Sequence, residues 1–168
     1  MGFDPNTGRV NLHYPWKSRK LESVNASNPV IVDDRVFISE SYGMGTSLLK
    51  VGEDGYAVLW QDGPRVRKKR MELHWNTAIY HDGYLYGCHG RGASSAALRA
   101  VNLESGEIAW SHRMRELSSL LFADDHFISL GERGTLTLFK ANPNKPEIVA
   151  TTRVVDEEGE SLLQYPAW

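Results

Sequence analysis

The feature that constrains this chain most is a segment written three times: "VIVDDRVFIS" over 30–39, "AIYHDGYLYG" over 78–87 and "LLFADDHFISL" over 120–130. Each is an apolar run, a polar turn holding an aspartate, and a second apolar or aromatic run, which is the written form of a β-hairpin. Aligned on Asp34, Asp82 and Asp124, the copies lie 48 and 42 residues apart. A unit of that size cannot bury its apolar faces alone, so neighbours must stack, and a period in the forties is that of a four-stranded propeller blade.

The remainder of each period supplies two more strands. "TSLLKV" (46–51) and "YAVLWQ" (56–61) flank the turn "GEDG"; "AALRAVNL" (96–103) and "EIAWSHR" (107–113) flank "ESG"; "GTLTLFKA" (134–141) and "EIVATTRVV" (147–155) flank "NPNKP". Gly, Asp, Asn and Pro punctuate the runs, and no long stretch carries the apolar period of a helix. The expectation is an all-β chain, a single segment over 1–168 forming a partial β-propeller. Its blades span about 26–61, 73–113 and 117–155. Residues 1–12 read as the end of a preceding blade and 160–168 as the start of another. Closed propellers need four to eight blades. The chain is therefore expected to be a fragment of a larger propeller, an open arc, or a piece that the remaining blades or a second copy completes, with strand edges open to self-association.

"AVNLESGEIAW" (100–110) shows how one blade would dock on the next. Asn102 and Ser105 can bond nearby backbone groups and Gly106 accepts a positive φ, so the chain can reverse tightly before Trp110, whose indole can fill the space between blades. These residues resemble the eleven-residue tryptophan-docking motif of pyrroloquinoline-quinone (PQQ) type propellers, Ala-x-Asp-x-x-Thr-Gly-x-x-x-Trp, at Ala100, Asn102, Ser105, Gly106 and Trp110. "HDGYLYG" is similar to the Asp-Gly-x-Leu-Tyr turn of that repeat. "DPNTGRV" resembles the tail of another copy through Asp4, Thr7 and Gly8, with Leu12 where the tryptophan would stand. "KVGEDGYAVLW" is a shifted, degenerate copy ending at Trp60, and "KANPNKPEIV" has lost the signature. The likeness extends to the quinoprotein-like propellers that include the outer-membrane β-barrel assembly lipoprotein and uncharacterised bacterial PQQ-like repeat proteins. It implies a periplasmic or other extracytoplasmic address.

Bulk properties bear on partners. With 168 residues, 41% of them hydrophobic, the chain can form a real core, and a formal charge of −2 gives no electrostatic case for nucleic acid or an anionic membrane. Cys88 is the one cysteine, so no internal disulfide is expected. The opening "MGFDPNTGRV" has neither the basic nor the apolar part of a secretory signal, and no apolar run is long enough to cross a bilayer.

The resemblance invites a quinoprotein dehydrogenase, in which a base takes a proton from an alcohol while PQQ, held on calcium, accepts a hydride. Such enzymes resemble one another in an adjacent Cys-Cys pair, a Trp platform, and a Glu, Asn and Asp set around the metal. Cys88 stands alone. The pairs Asp33–Asp34 and Asp124–Asp125 fall in hairpin turns, where Asp is favoured for backbone bonding, and no spacing converges the six or more oxygens calcium takes. No catalytic, cofactor-binding or metal-binding residue is therefore assigned. The second blade is the most suggestive stretch, with His74, Trp75, Asn76, His81, Cys88, His89 and Arg91, but the spacings match no zinc motif. His81 is expected in a turn, and Cys88 and His89 should face opposite ways. A ligand surface, if present, is sought at His74, Trp75, Asn76, His89 and Arg91, whose loops would converge near one end of the channel.

"RVRKKR" (65–70) reads as a solvated loop ahead of a patch for phosphate or an acidic partner. "SYGMGTS" (41–47) is a turn, "GCHGRG" (87–92) lacks the order and the helix of a dinucleotide fingerprint, and "NAS" (25–27) fits a glycosylation triplet. The expected function is a non-catalytic scaffold or binding surface for protein or saccharide. The alternative is part of a PQQ-dependent alcohol or sugar dehydrogenase whose active-site residues lie outside this chain.

Overall fold

The computed structural model describes residues 1–53 and 55–155; the strand expected within 160–168 lies outside them. Fourteen strands are formed and no helix is present among the described residues. A short hairpin, β1 (Gly2–Phe3) and β2 (Val10–Leu12), precedes three antiparallel four-stranded sheets. The first holds β3 (Val30–Val32), β4 (Arg35–Glu40), β5 (Gly45–Gly52) and β6 (Gly55–Gln61). The second holds β7 (Ile79–His81), β8 (Tyr84–His89), β9 (Ala97–Asn102) and β10 (Ile108–Arg113). The third holds β11 (Ser118–Ala123), β12 (His126–Gly131), β13 (Thr135–Lys140) and β14 (Glu147–Arg153). Within each sheet the strands lie in chain order, and the sheets meet through their first strands, β3 against β7 and β7 against β11. These are the blades of a partial β-propeller.

The first hairpins turn where the aspartates stand. Asp33, Asp82, Asp124 and Asp125 have φ of 53°, 45°, 49° and 55°, a left-handed conformation that Asp tolerates because its short side chain bonds locally. Pairing of Val32 with Arg35, His81 with Tyr84 and Ala123 with His126 makes Asp33 the counterpart of Asp82 and Asp124. The alignment on Asp34 is thus one residue out, and the copies are spaced 49 and 42 residues apart. Two adjacent Asp residues look alike in sequence; only strand register tells them apart.

Strand alternation sends the core both ways from the middle blade. Leu85 and Val101 face the first blade and join Phe37, Leu48, Met71, Leu73, Ala78 and Leu103 in one buried layer. Tyr86, Cys88, Leu98 and Ala100 point oppositely and join Trp110, Leu117, Phe127 and Phe139 in a second. At about 1.5–3 kcal/mol for each large side chain removed from water, these inter-blade layers are the main stabilising term. Outer strands β6 and β14 are mostly exposed, whereas β5, β8 and β9 are mostly buried.

Each outer strand carries one extra residue at the same place. Register jumps between the pairs Leu49↔Val58 and Leu48↔Trp60, between Val101↔Ile108 and Ala100↔Trp110, and between Phe139↔Ile148 and Leu138↔Ala150. A bulge re-aims the side chain that follows it, and here it turns Trp60 and Trp110 into the blade boundary. The Trp60 Nε1 donates to the Leu103 carbonyl at 2.8 Å, and the Trp110 Nε1 to the Asn142 carbonyl at 2.9 Å. Each tryptophan is thus fastened to a turn of the following blade, and Ala150 occupies the corresponding place in the third.

The turn before Trp110 closes as its residues require. Asn102 Oδ1 accepts the Ser105 amide at 2.9 Å, Ser105 Oγ accepts the Glu107 amide at 3.1 Å, and Gly106 takes φ of 69°. Asp4, Thr7 and Gly8 repeat the pattern in the β1–β2 hairpin, with bonds of 2.8 Å from the Asn6 amide and 3.2 Å from the Thr7 amide to Asp4. Leu12 replaces the tryptophan there, and Tyr14 makes the link: its hydroxyl lies 3.1 Å from Ser47 Oγ and donates to Gln61 Oε1 at 2.9 Å.

Candidate functional site

Because strand direction alternates, the aspartate turns lie at one end of the blades. The loops 41–44, 90–96 and 132–134 and the connections 13–29, 62–78 and 114–117 lie at the other. At this second end two carboxylates are fully buried. Glu40 accepts the Tyr42 amide at 2.7 Å and also the amide of Met44, which fixes the 41–44 loop. Asp62 accepts from the Thr46 amide at 3.1 Å, Thr46 Oγ1 at 2.8 Å and Arg70 Nη1 at 2.7 Å, tying the 62–78 connection to β5. Each buried charge is offset by donors directed at it.

The loop so held presents Tyr42. Its hydroxyl is 3.1 Å from His74 Nε2, its ring meets the imidazole edge-on at 5.6 Å between centroids, and the Arg91 guanidinium covers it at 4.3 Å. His74 in turn lies against Trp75 at 4.8 Å, and the Trp75 indole is 42% exposed. Burial first, and the charge of Arg91 second, hold the His74 pKa below its ordinary value, so the ring is neutral at neutral pH. Its Nδ1 is buried without a partner among the described residues. Arg91, Tyr42, His74 and Trp75 form one stack from a cation to an open indole.

Three of the five residues sought as a ligand surface, His74, Trp75 and Arg91, therefore converge. Asn76 and His89 are turned inward: Asn76 Nδ2 donates to the Cys88 carbonyl at 3.1 Å, and His89 Nδ1 accepts the Glu72 amide at 2.9 Å. His81 lies on β7 rather than in a turn, with its ring 4.4 Å from that of Phe122 in the next blade. Of "RVRKKR", Lys69 and Arg70 are engaged with the protein: Lys69 is buried with its Nζ on the Gly63 carbonyl, and the partly buried Arg70 pairs with Asp62. Arg99 reaches the carbonyls of Lys69 and Arg70 at 2.8 Å each. Of "SYGMGTS", 41–44 is the turn and Gly45–Ser47 begins β5. In "NAS" the Asn25 amide is spent on the Trp16 carbonyl at 2.8 Å.

Cys88 has no exposed surface, and its thiol lies inside the second core layer, where Sγ accepts the Ser118 amide at 3.3 Å. Asp33, Asp34, Asp124 and Asp125 sit in hairpin turns at the end away from the loop cluster. No group of three or more His, Cys, Asp or Glu side chains among the described residues could hold a metal ion.

Sequence reasoning missed Tyr42, Glu40 and Asp62. Glu40 ends β4 and Asp62 follows β6, positions where a carboxylate ordinarily signals solvent, and only the fold brings their donors close.

No protein-family profile and no curated protein matches the chain. Solved structures do. BamB from Moraxella catarrhalis superposes with a TM-score of 0.64 at 14% identity, covering 90% of this chain and 41% of that one. A europium-containing methanol dehydrogenase gives 0.55 at 14% identity, over 82% of this chain and 26% of that one. The computationally designed Ika4 protein gives 0.56 at 12% identity, over 92% and 82%. The chain spans less than half the length of BamB. At these identities the likeness is one of fold alone, and that fold is a β-propeller.

Proposed function

We propose that this chain is a non-catalytic segment of a quinoprotein-type propeller that serves as a scaffold with a binding surface for protein or saccharide at its loop end. One observation carries the reading: the half-open Trp75 indole, backed by His74, Tyr42 and Arg91, with Glu40 fixing the loop that carries Tyr42. A large amphipathic ring on a stiff base gives contact area at little entropic cost, and such rings dominate binding energies at interfaces. The open flank of the third blade takes a further blade in the same reading, and the extracytoplasmic address implied by the docking motif goes with it.

The experiment is a pair of titrations. A panel of neutral oligosaccharides and peptides is screened by Trp75 fluorescence, with Trp75→Ala as control; a partner that binds the parent and not the variant supports the surface. Addition of PQQ with calcium should leave the quinone absorption unchanged. A quinone spectral shift accompanied by dye-linked alcohol oxidation would replace this reading with the dehydrogenase one.

A further inference from the structure

Beside the aromatic stack lies a cleft of about 590 Å³ between the 13–29 connection, the 41–44 loop and the start of the 62–78 connection. Lys17, Arg19, Lys20 and Arg65 line it together with Ser18 and Tyr42, and no carboxylate does. All four cations are exposed, and none forms an ion pair among the described residues. The chain as a whole has a formal charge of −2, so this concentration is local.

The cations are placed by what alternates with them. Trp16 and Ser18 are buried; Ser18 Oγ donates to the Tyr42 carbonyl at 2.7 Å and accepts the Lys20 amide at 3.2 Å, and the Asn25 amide grips Trp16. Lys17 and Arg19, between and beyond these anchors, are left outward. Across the cleft, Asp62 and Arg70 hold the connection that delivers Arg65. Like charges gathered this closely repel one another, and an anion bound among them relieves the repulsion. Two guanidiniums offer forks that match phosphate oxygens, and two ammoniums add point charge.

We propose that this cleft binds a small molecule carrying two or more phosphate groups. The inference rests on the loop end being a binding surface, but it fails separately: a protein that holds a partner through Trp75 and ignores polyphosphate refutes the cleft and leaves that surface standing.

The test is calorimetric titration of the full chain with inorganic tripolyphosphate at about 0.15 M salt, where long-range charge effects are screened within about 8 Å. Two double variants remove equal charge: Lys17→Gln with Arg19→Gln in the cleft, and Lys145→Gln with Arg153→Gln on the exposed edge of the third blade. The expected result is an affinity loss of about tenfold or more, some 1.4 kcal/mol, for the cleft variant and no more than about twofold for the other. No binding by the parent chain, or equal losses in the two variants, would overturn the proposal. Phosphatidylglycerol vesicles form the second arm: cleft-dependent vesicle binding without tripolyphosphate binding assigns the site to a lipid headgroup and refutes a soluble ligand.

Discussion

Trp60 of the first blade lies so close over Gly106 of the second that a Cβ on the glycine would sit 2.9 Å from the indole Cδ2. Arg70 completes the contact, with its Nε on the Gly106 carbonyl at 2.8 Å and its guanidinium 5.3 Å from the indole centroid. Gly106 also has φ of 69°. Gly106→Ala should therefore cost about 2 kcal/mol or more in urea unfolding, from backbone strain and collision together. The same Cβ would lie 2.8 Å from the Arg70 Nε, so in a double-mutant cycle Trp60→Ala should relieve only the indole's share of the collision, a coupling of about 1 kcal/mol.

Trp110 is 8% exposed and packs on Tyr86 and Phe139. Trp110→Ala should destabilise by about 3–5 kcal/mol, the range for emptying a buried aromatic site. Trp110→Phe should recover most of this and leave about 1 kcal/mol for the lost bond to Asn142. An unchanged thermal midpoint in the alanine variant would refute the docking role.

Burial, with a smaller push from Arg99, drives the His89 pKa down to about 4. Glu72 Oε2 lies 3.9 Å from its Nε2, yet the Glu72 carboxyl is itself raised by burial and is a weak counter-charge. An unfolded histidine titrates near about 6.5, so the stability of the neutral ring is intact above that pH and is lost, by up to about 3 kcal/mol, as pH falls to about 4. Glu72, with its raised pKa, acts in the opposite sense. His89→Asn, which keeps an acceptor for the Glu72 amide, should flatten the fall in stability between these pH values; an identical profile would refute the assignment.

Burial raises the Cys88 thiol pKa. The thiolate is the reactive form, so an aromatic disulfide reagent should leave the native chain unmodified and react at once in denaturant. Reaction of the native chain at the rate of a free thiol would place Cys88 outside the core.

Among the described residues, the third blade has one covered face and one open face. Phe127 is fully buried, while Leu121 on the opposite face is 60% exposed and its neighbours Ile128 and Leu138 are only partly buried. Phe127→Ala should cost about 3–5 kcal/mol and Leu138→Ala, at an only partly buried site, less than about 2 kcal/mol. Comparable costs would mean that something covers this flank in solution.

The hairpins, the four-strand period and the tryptophan docking were legible in the sequence because each depends on neighbours in the chain: Asp and Gly at turns needing positive φ, alternation along strands, and a Trp a fixed distance beyond its turn. The one-residue error at Asp34 arose where two adjacent aspartates fit the turn equally well. The loop end was half legible. His74, Trp75 and Arg91 carry recognisable chemistry, but Tyr42, which joins them, sits in a glycine-flanked turn that reads as a plain reversal. Lys17, Arg19 and Lys20 form too short a run to stand out, and only the fold sets them across from Arg65. Asn76 and His89 show the reverse: side chains of functional type that the fold consumes internally.

Both halves of a core layer never come from one blade. As the chain is made from its N-terminus, Phe37 and Leu48 must wait through roughly forty to sixty further residues before Leu85 and Val101 are synthesised, two seconds or more at about 5–20 residues per second. For that interval the newborn first blade shows water a bare apolar wall, which is when chaperones, or a neighbouring nascent chain, have their best opportunity to seize it.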